Sequence, residues 1–328
     1  RAWRSAAVNT MKALRFVSNV NCGPHRAPVI SLLQLARFSS TASNIHNDLD
    51  SATEFLKSIP SSGTITLDTS SNHKCAILTL RNPIRRNALT PSMMIELATH
   101  IQHLENICLD NDEGSKKDET VSLLLRGEDG FFCSGADLHL ARQRLASSEG
   151  GAAMSTFMGH WTKRLRRLPL ISVAAIRGGV VGGGTELASA CDHRLMEDKT
   201  EWKCVHVSHG LVPGWGGGSR MTRLVGRGPA LRILAGGLGL DANEALRIGL
   251  VDGVIDAASN DGTGDENFMN ECLRWMEKQG YFQWDAEAVH AAKTVVSSAD
   301  CDQEEERALR RERELFCKVW PPHAITKN

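Results

Sequence analysis

LPLISVAAIRGGVVGGGTELASACDHRLM, residues 168–196, is the stretch on which the fold of this chain turns. Residues 171–176 form a short β-branched and alanine-rich run, 178–184 hold five glycines, and 185–191 are small or helix-forming. That order predicts strand, tight turn, helix. Glycines at such a junction permit positive φ and close approach of a ligand, while the new helix aims unpaired N–H groups into the same space. Glu186 falls in the first helical turn, where the helix dipole favours an acid for structural reasons alone. One glycine turn is too common a feature to define a site, so the flanking sequence has to supply the rest.

Upstream, the pattern recurs. Residues 121–125 read as a strand, and GEDGFFCSGADLHLA, residues 127–141, reads as a glycine turn opening a helix with backbone amides free around Ala136. Two such turns can converge on one oxygen. Cys133 has no histidine or other base at a set spacing and reads as a small buried thiol. Residues 63–67 and 74–80 read as a hairpin, Asn82-Pro83 ends its second strand, and Thr90-Pro91 starts a helix with Met93, Met94, Leu97, Ile101 and Leu104 on one face. Glu96, His100 and His103 of that helix read as a solvated polar face, and no metal site is expected. Residues 44–62 form a polar connector with a short helix around 54–58, and residues 110–120 form a charged loop.

Downstream, residues 217–224 and 229–234 read as helices flanking another glycine turn, with Trp215 as a wall of a pocket or as core. Asp241 and Glu244 make a capping-box-like start to a helix ending near Gly249. Arg220, Arg223, Arg227 and Arg232 read as a solvated or intersubunit basic face. Helices around 268–278, 286–294 and 304–319 close the sequence, the last with the dense mixed charge of a partly exposed assembly helix.

The 328 residues, 41% hydrophobic and 23% charged, suit an ordinary globular protein, and no apolar run approaches a membrane span. Residues 1–47 carry six basic side chains and no acid, the composition of a mitochondrial transit peptide, and predict a matrix location with the cytosol as alternative. Without those six cations, 32 basic residues face 38 acidic ones, a formal charge of −6. That balance offers no broad basic field for nucleic acid or an anionic membrane. Nine scattered cysteines with no CxxC pair indicate neither a zinc ribbon nor a disulfide framework.

NPIRRNAL (82–89), FCSGADL (132–138) and VVGGGTELASACDHRL (180–195) resemble the three signature blocks of the crotonase, or enoyl-CoA hydratase/isomerase, superfamily. With GLVPGWGGGSRMTRLVG (210–226) and residues 241–254, the likeness covers the chain from about Gly63 onward. It implies an α/β crotonase (ClpP-like) fold: a catalytic spiral of repeated ββα units over 63–258, preceded by a linker over 48–62 and followed by a helical region over 259–328 for oligomerisation. Trimers or pairs of trimers are the assemblies it implies. The same likeness implies an acyl-CoA thioester substrate and no separate cofactor. It implies an oxyanion hole at the amides of Ala136 and Gly183, and substrate contacts at Arg86, Ala88, Asp137, Leu138 and Trp215. Lys293 matches a position that can approach CoA phosphates, although a surface lysine is the commoner explanation.

Hydratases of the superfamily resemble one another in using two glutamates. Glu186 stands at the first position, but the second, four residues before Gly210, is His206, and WKCVHVSHG (202–210) contains no acid. Adding water to a double bond needs a base for the water and a proton donor for carbon, so the missing carboxylate counts against hydration. RLPLISVAAI (167–176), VHVSHGLVPGWGG (205–217) and ERALRRERELFCKVWPP (306–322) resemble the branch that decarboxylates ethylmalonyl-CoA, with a weaker likeness to bacterial enzymes acting on methylmalonyl-CoA. Loss of CO2 generates the enolate without removal of a carbon-bound proton, leaving Glu186, if burial raises its pKa, or His206 to return one. An enoyl-CoA hydratase or isomerase is the alternative.

Overall fold

The computed structural model describes residues 49–70, 74–109, 119–256, 264–299 and 302–321, so the expected transit peptide and most of the charged 110–120 loop lie outside the described residues. In chain order the elements are α1 (Leu49–Lys57), β1 (Thr64–Asp68), β2 (Cys75–Arg81), α2 (Pro91–Leu109), β3 (Ser122–Gly127), α3 (Leu138–Arg144), α4 (Ser148–Arg167) and β4 (Ile171–Ile176). The chain continues through β5 (Val180–Val181), α5 (Gly183–Ala188), β6 (His193–Glu197), β7 (Glu201–Lys203), α6 (Gly217–Val225) and α7 (Arg227–Leu234). It ends with β8 (Gly239–Asp241), α8 (Ala242–Arg247), β9 (Gly253–Ile255), α9 (Gly264–Lys278), α10 (Ala286–Ser298) and α11 (Asp302–Val319).

One sheet has the order β1-β2-β3-β4-β6-β9, with β1 antiparallel to β2 and every later pairing parallel. A small second sheet, β5-β7-β8, stands at the ends of β4 and β6, where the glycine turn has carried the chain away from the first. Parallel strands are covered on both faces, which explains why β3 and β4 read as continuous apolar runs. Leu123, Leu125, Ala174 and Ile176 point into the main core with α2 and α4, while Leu124, Val173 and Ala175 pack on the other side against Phe268, Cys272 and Met276 of α9.

Several elements differ from their sequence reading. The polar connector holds α1, whose Ala52 and Leu56 are buried against α4. Glu96 and His100 are not a free polar face: Glu96 accepts from Thr64 Oγ1 and Ile65 N, and His100 Nε2 bonds the Ile65 carbonyl at 2.8 Å, so both fasten β1 to α2. Arg220 is buried rather than solvated. Lys293 is buried too, donating to the Arg166 carbonyl at 3.0 Å and pairing with Asp192, so its ammonium is occupied by the protein. The shared cause is that a polar side chain whose hydrogen-bond partners lie far away in the sequence leaves no trace in local periodicity. Among the described residues no helix is long and apolar enough to cross a membrane, and no cluster of side chains is suited to a metal ion.

Candidate active site

Three loops that leave the strands at one end meet around a cavity of about 380 Å³. The first follows β2. Asn87, at φ 53°, receives the Asn82 amide at 2.8 Å on Oδ1 and donates from Nδ2 to the carbonyls of Glu128 and Phe131 at 2.8 and 2.6 Å. It thereby staples this loop to the next and turns Ala88 toward the cavity. Arg86 departs from its expected place: its guanidinium lies over the Phe131 ring, 5.7 Å from the centroid, and Arg85 lines the cavity in its stead.

The second loop leads into α3. Asp137 is the N-cap, its Oδ1 accepting from His139 N at 2.9 Å and Leu140 N at 3.1 Å, so the carboxylate is turned onto its own helix. Ala136 and Leu138 line the cavity on either side of it. Gly135 sits at φ 91°, and a Cβ there would fall 2.7 Å from the Gly183 amide nitrogen. Only glycine lets the two turns come together, which is how Ala136 and Gly183, 47 positions apart, come to line one cavity. Cys133 is buried beneath them, and burial pushes its thiol up to about 12.

The third loop is the opening stretch itself. Gly183 begins α5, and a Cβ there would lie 2.5 Å from the Trp215 ring, so the glycine both frees the amide and seats the indole as a cavity wall. Glu186, one turn on, is 2% exposed and saturated with donors. Its Oε2 accepts from Trp215 N at 2.7 Å and Gly217 N at 3.0 Å, and its Oε1 from Gly214 N and His206 Nε2, both at 3.2 Å. Gly217 allows this approach, because a Cβ there would stand 2.4 Å from the Glu186 Cγ. Burial works against ionisation, but His206 and the amides of Gly217 and Trp215 outweigh it and hold Glu186 below the usual carboxylate range. The raised pKa considered from sequence therefore does not occur.

His206 is itself buried, and its Nδ1, without a hydrogen-bond partner among the described residues, belongs to a side chain that lines the cavity. With Nε2 donating to Glu186, a neutral ring offers a lone pair at Nδ1 and a protonated ring offers N–H there. Asp137 and Glu186 are the only carboxylates lining the cavity among the described residues, and both are committed to protein donors.

Behind Glu186, Arg220 donates to the carbonyls of Glu186 and Trp215, each at 2.9 Å, and to Ser189 Oγ at 3.2 Å. A second acid escaped the sequence reading altogether. Glu312 of α11 accepts from Gly216 N at 2.7 Å and Ser219 N at 3.1 Å, sharing the N-terminus of α6 with Glu186. Burial and the nearby Glu186 charge push its carboxyl up to about 7. Nothing local marks Glu312 among the neighbouring acids and arginines of its helix; only the topology brings it here.

Comparison with known proteins places these features in context. Residues 70–321 match the family model described as "Enoyl-CoA hydratase/isomerase". An ethylmalonyl-CoA decarboxylase of Xenopus tropicalis is 40% identical over 245 residues, covering 75% of each chain. That of Gallus gallus is 40% identical over 244 residues, 74% of this chain and 76% of the relative. Among solved structures, an enoyl-CoA hydratase from Bacillus halodurans superposes with a TM-score of 0.65 at 19% identity, covering 80% of this chain and 97% of its own. That last likeness establishes the crotonase fold.

Proposed function

We propose that this chain, which belongs to the enoyl-CoA hydratase/isomerase family, releases CO2 from a short 2-carboxyacyl-CoA, with ethylmalonyl-CoA as its main substrate and methylmalonyl-CoA as a second. The observation that carries the reading is the Glu186–His206 pair: a carboxylate saturated by three backbone amides, with a histidine, not a second glutamate, beside it.

In this mechanism the thioester oxygen lies between the amides of Ala136 and Gly183. As the C–COO⁻ bond breaks, its electron pair passes to the carbonyl and creates an enolate, and CO2 leaves. A preorganised donor aimed at that oxygen contributes about 2.7–4 kcal/mol to the transition state. Glu186 does not exchange protons; through Oε1 it fixes the ring of His206. His206, which lines the cavity, then steadies the substrate carboxylate from its protonated ring and afterwards delivers a proton to C2. The reaction is balanced: the singly charged thioester enolate formed by CO2 loss takes up one proton and becomes the saturated acyl-CoA. Hydration lacks support because, among the described residues, both carboxylates lining the cavity are committed to protein donors and none is left to activate water.

Incubation with ethylmalonyl-CoA, methylmalonyl-CoA and crotonyl-CoA tests the proposal. CO2 release from the first two with negligible hydration of the third is expected; hydration without CO2 release would overturn it. The resemblance of the sequence blocks to the crotonase superfamily also suggests a homotrimer or pair of trimers, to be checked by light scattering. The acid-free basic composition of residues 1–47 supports import into the mitochondrial matrix, with a cytosolic location as the alternative that imaging of a C-terminally tagged full chain would reveal.

A further inference from the structure

Building on the decarboxylase reading, we propose that the C-terminal helix α11 sets the upper limit on acyl-chain length, with Phe316 and Trp320 as the specificity-determining residues. Leu309, Glu312 and Phe316 recur every three or four positions on one face of α11, and Trp320, the first residue past the helix, follows at the same spacing. That face turns inward. Leu309 packs at Gly159, where a Cβ would meet its Cδ1 at 3.2 Å, and Glu312 is bonded to the amides of Gly216 and Ser219.

The two rings beyond them are held just as firmly. Phe316 and Trp320 stack at 5.2 Å between centroids with 24° between planes. Each rests in a notch left by a glycine: a Cβ on Gly214 would stand 2.5 Å from the Phe316 ring, and one on Gly151 would stand 2.0 Å from the Trp320 ring. Trp320 Nε1 also donates to the carbonyls of Leu145 at 2.7 Å and Ser147 at 3.1 Å. Rings that already touch backbone have no space into which to retreat.

Both rings line the active-site cavity, together with Met154 and Leu211. Of the polar and charged lining residues, Ser134, Asp137 and His139 flank Ala136, while Arg85, Glu186, His206 and His209 come from other segments. In this proposal the alkyl branch of a thioester whose oxygen is held at Ala136 and Gly183 meets the apolar wall formed by Phe316, Trp320, Met154 and Leu211. Methyl and ethyl branches fit in front of this wall, and butyl or hexyl branches collide with it. An apolar pocket discriminates by roughly 10- to 200-fold for a single methylene.

The test is a series of methyl-, ethyl-, butyl- and hexylmalonyl-CoA with the full-length wild type, Phe316→Ala and Phe316→Leu. In the wild type kcat/KM should fall at least about tenfold from ethyl to butyl. Phe316→Ala should raise the hexyl-to-ethyl ratio by about tenfold or more, with Phe316→Leu shifting it the same way by less. The leucine variant retains an apolar contact at Gly214 and serves where the alanine variant fails to fold. Equal turnover of ethyl and hexyl substrates by the wild type, or a variant that loses all substrates in proportion, would overturn the proposal. Calorimetric titration with butyryl-CoA and octanoyl-CoA separates this failure from failure of the decarboxylase reading. Absence of CO2 release alongside a preference for butyryl-CoA that Phe316→Ala abolishes would refute the reaction and uphold the wall. Equal affinities for the two in the wild type would refute the wall whatever the reaction.

Discussion

Glu186→Gln is the substitution whose consequences the geometry fixes most closely. Each carboxylate oxygen accepts two donors: Gly214 N and His206 Nε2 at Oε1, Trp215 N and Gly217 N at Oε2. Glutamine brings one acceptor oxygen and one NH2 group, which has no lone pair to offer. The least damaging arrangement keeps the oxygen toward Trp215 and Gly217 and directs NH2 to His206. His206 must then accept at Nε2 and be neutral, and the Gly214 amide loses its partner. Losing hydrogen bonds to a buried charged group costs about 1.5–3 kcal/mol, a melting-temperature drop of a few degrees per kcal/mol in a domain of this size. Activity should suffer more, because a ring that cannot hold its proton cannot return it to carbon, a step worth roughly 10²- to 10⁴-fold. Because the folded pKa of Glu186 is depressed, its contribution to stability is complete above the unfolded value of about 4.3 and disappears as pH falls through the lower folded value. The variant should lack this acid limb. CO2 release from ethylmalonyl-CoA, followed with pH alongside thermal melts, reads all three effects. Wild-type turnover with an unchanged pH profile would refute the role of Glu186.

Three further changes probe the surrounding structure. Gly183→Ala drives a methyl group into the Trp215 ring at 2.5 Å, so a loss of about 1–3 kcal/mol and a fall in kcat are expected from denaturant titration and steady-state kinetics. Arg220→Met strips donors from the buried carbonyls of Glu186 and Trp215, and urea unfolding should register a loss of at least about 1–3 kcal/mol. Glu312 titrates in the opposite sense from Glu186: its folded pKa is raised to about 7, so the stability linked to it is fully present below the unfolded value and fades as pH rises toward 7. Glu312→Gln should flatten that part of the wild-type profile in melting curves recorded between pH 4 and 8.

Local signals carried much of this structure. The strand, glycine turn and helix at 171–188 were legible because each imposes its own residue type, and so were the hairpin of β1 and β2, the Thr90-Pro91 helix start and the Asp241 cap. The substitution of His206 for a second acid was legible as well, because it stands within a recognisable block. Long-range contacts were not. Arg220 reads like any arginine in a basic run until α6 folds it onto the carbonyls of Glu186 and Trp215. The charge-rich α11 reads as an assembly helix, yet Glu312, Phe316 and Trp320 turn one face of it into the site of their own chain. The place of Arg86 was hidden too: Arg86 and Asn87 both take positive φ, at 51° and 53°, and Arg85 rather than Arg86 lines the cavity. Four donors on Glu186 likewise reversed the direction of its pKa expected from burial alone.

The central claim is that an enolate formed by CO2 loss is protonated in this cavity. Carboxyl-13C-labelled ethylmalonyl-CoA supplied in deuterated water tests it most directly. The account predicts stoichiometric 13CO2 and butyryl-CoA carrying solvent deuterium at C2, with crotonyl-CoA left essentially unhydrated under the same conditions. Full retention of the 13C label in the thioester, together with conversion of crotonyl-CoA to its 3-hydroxy product, would contradict it.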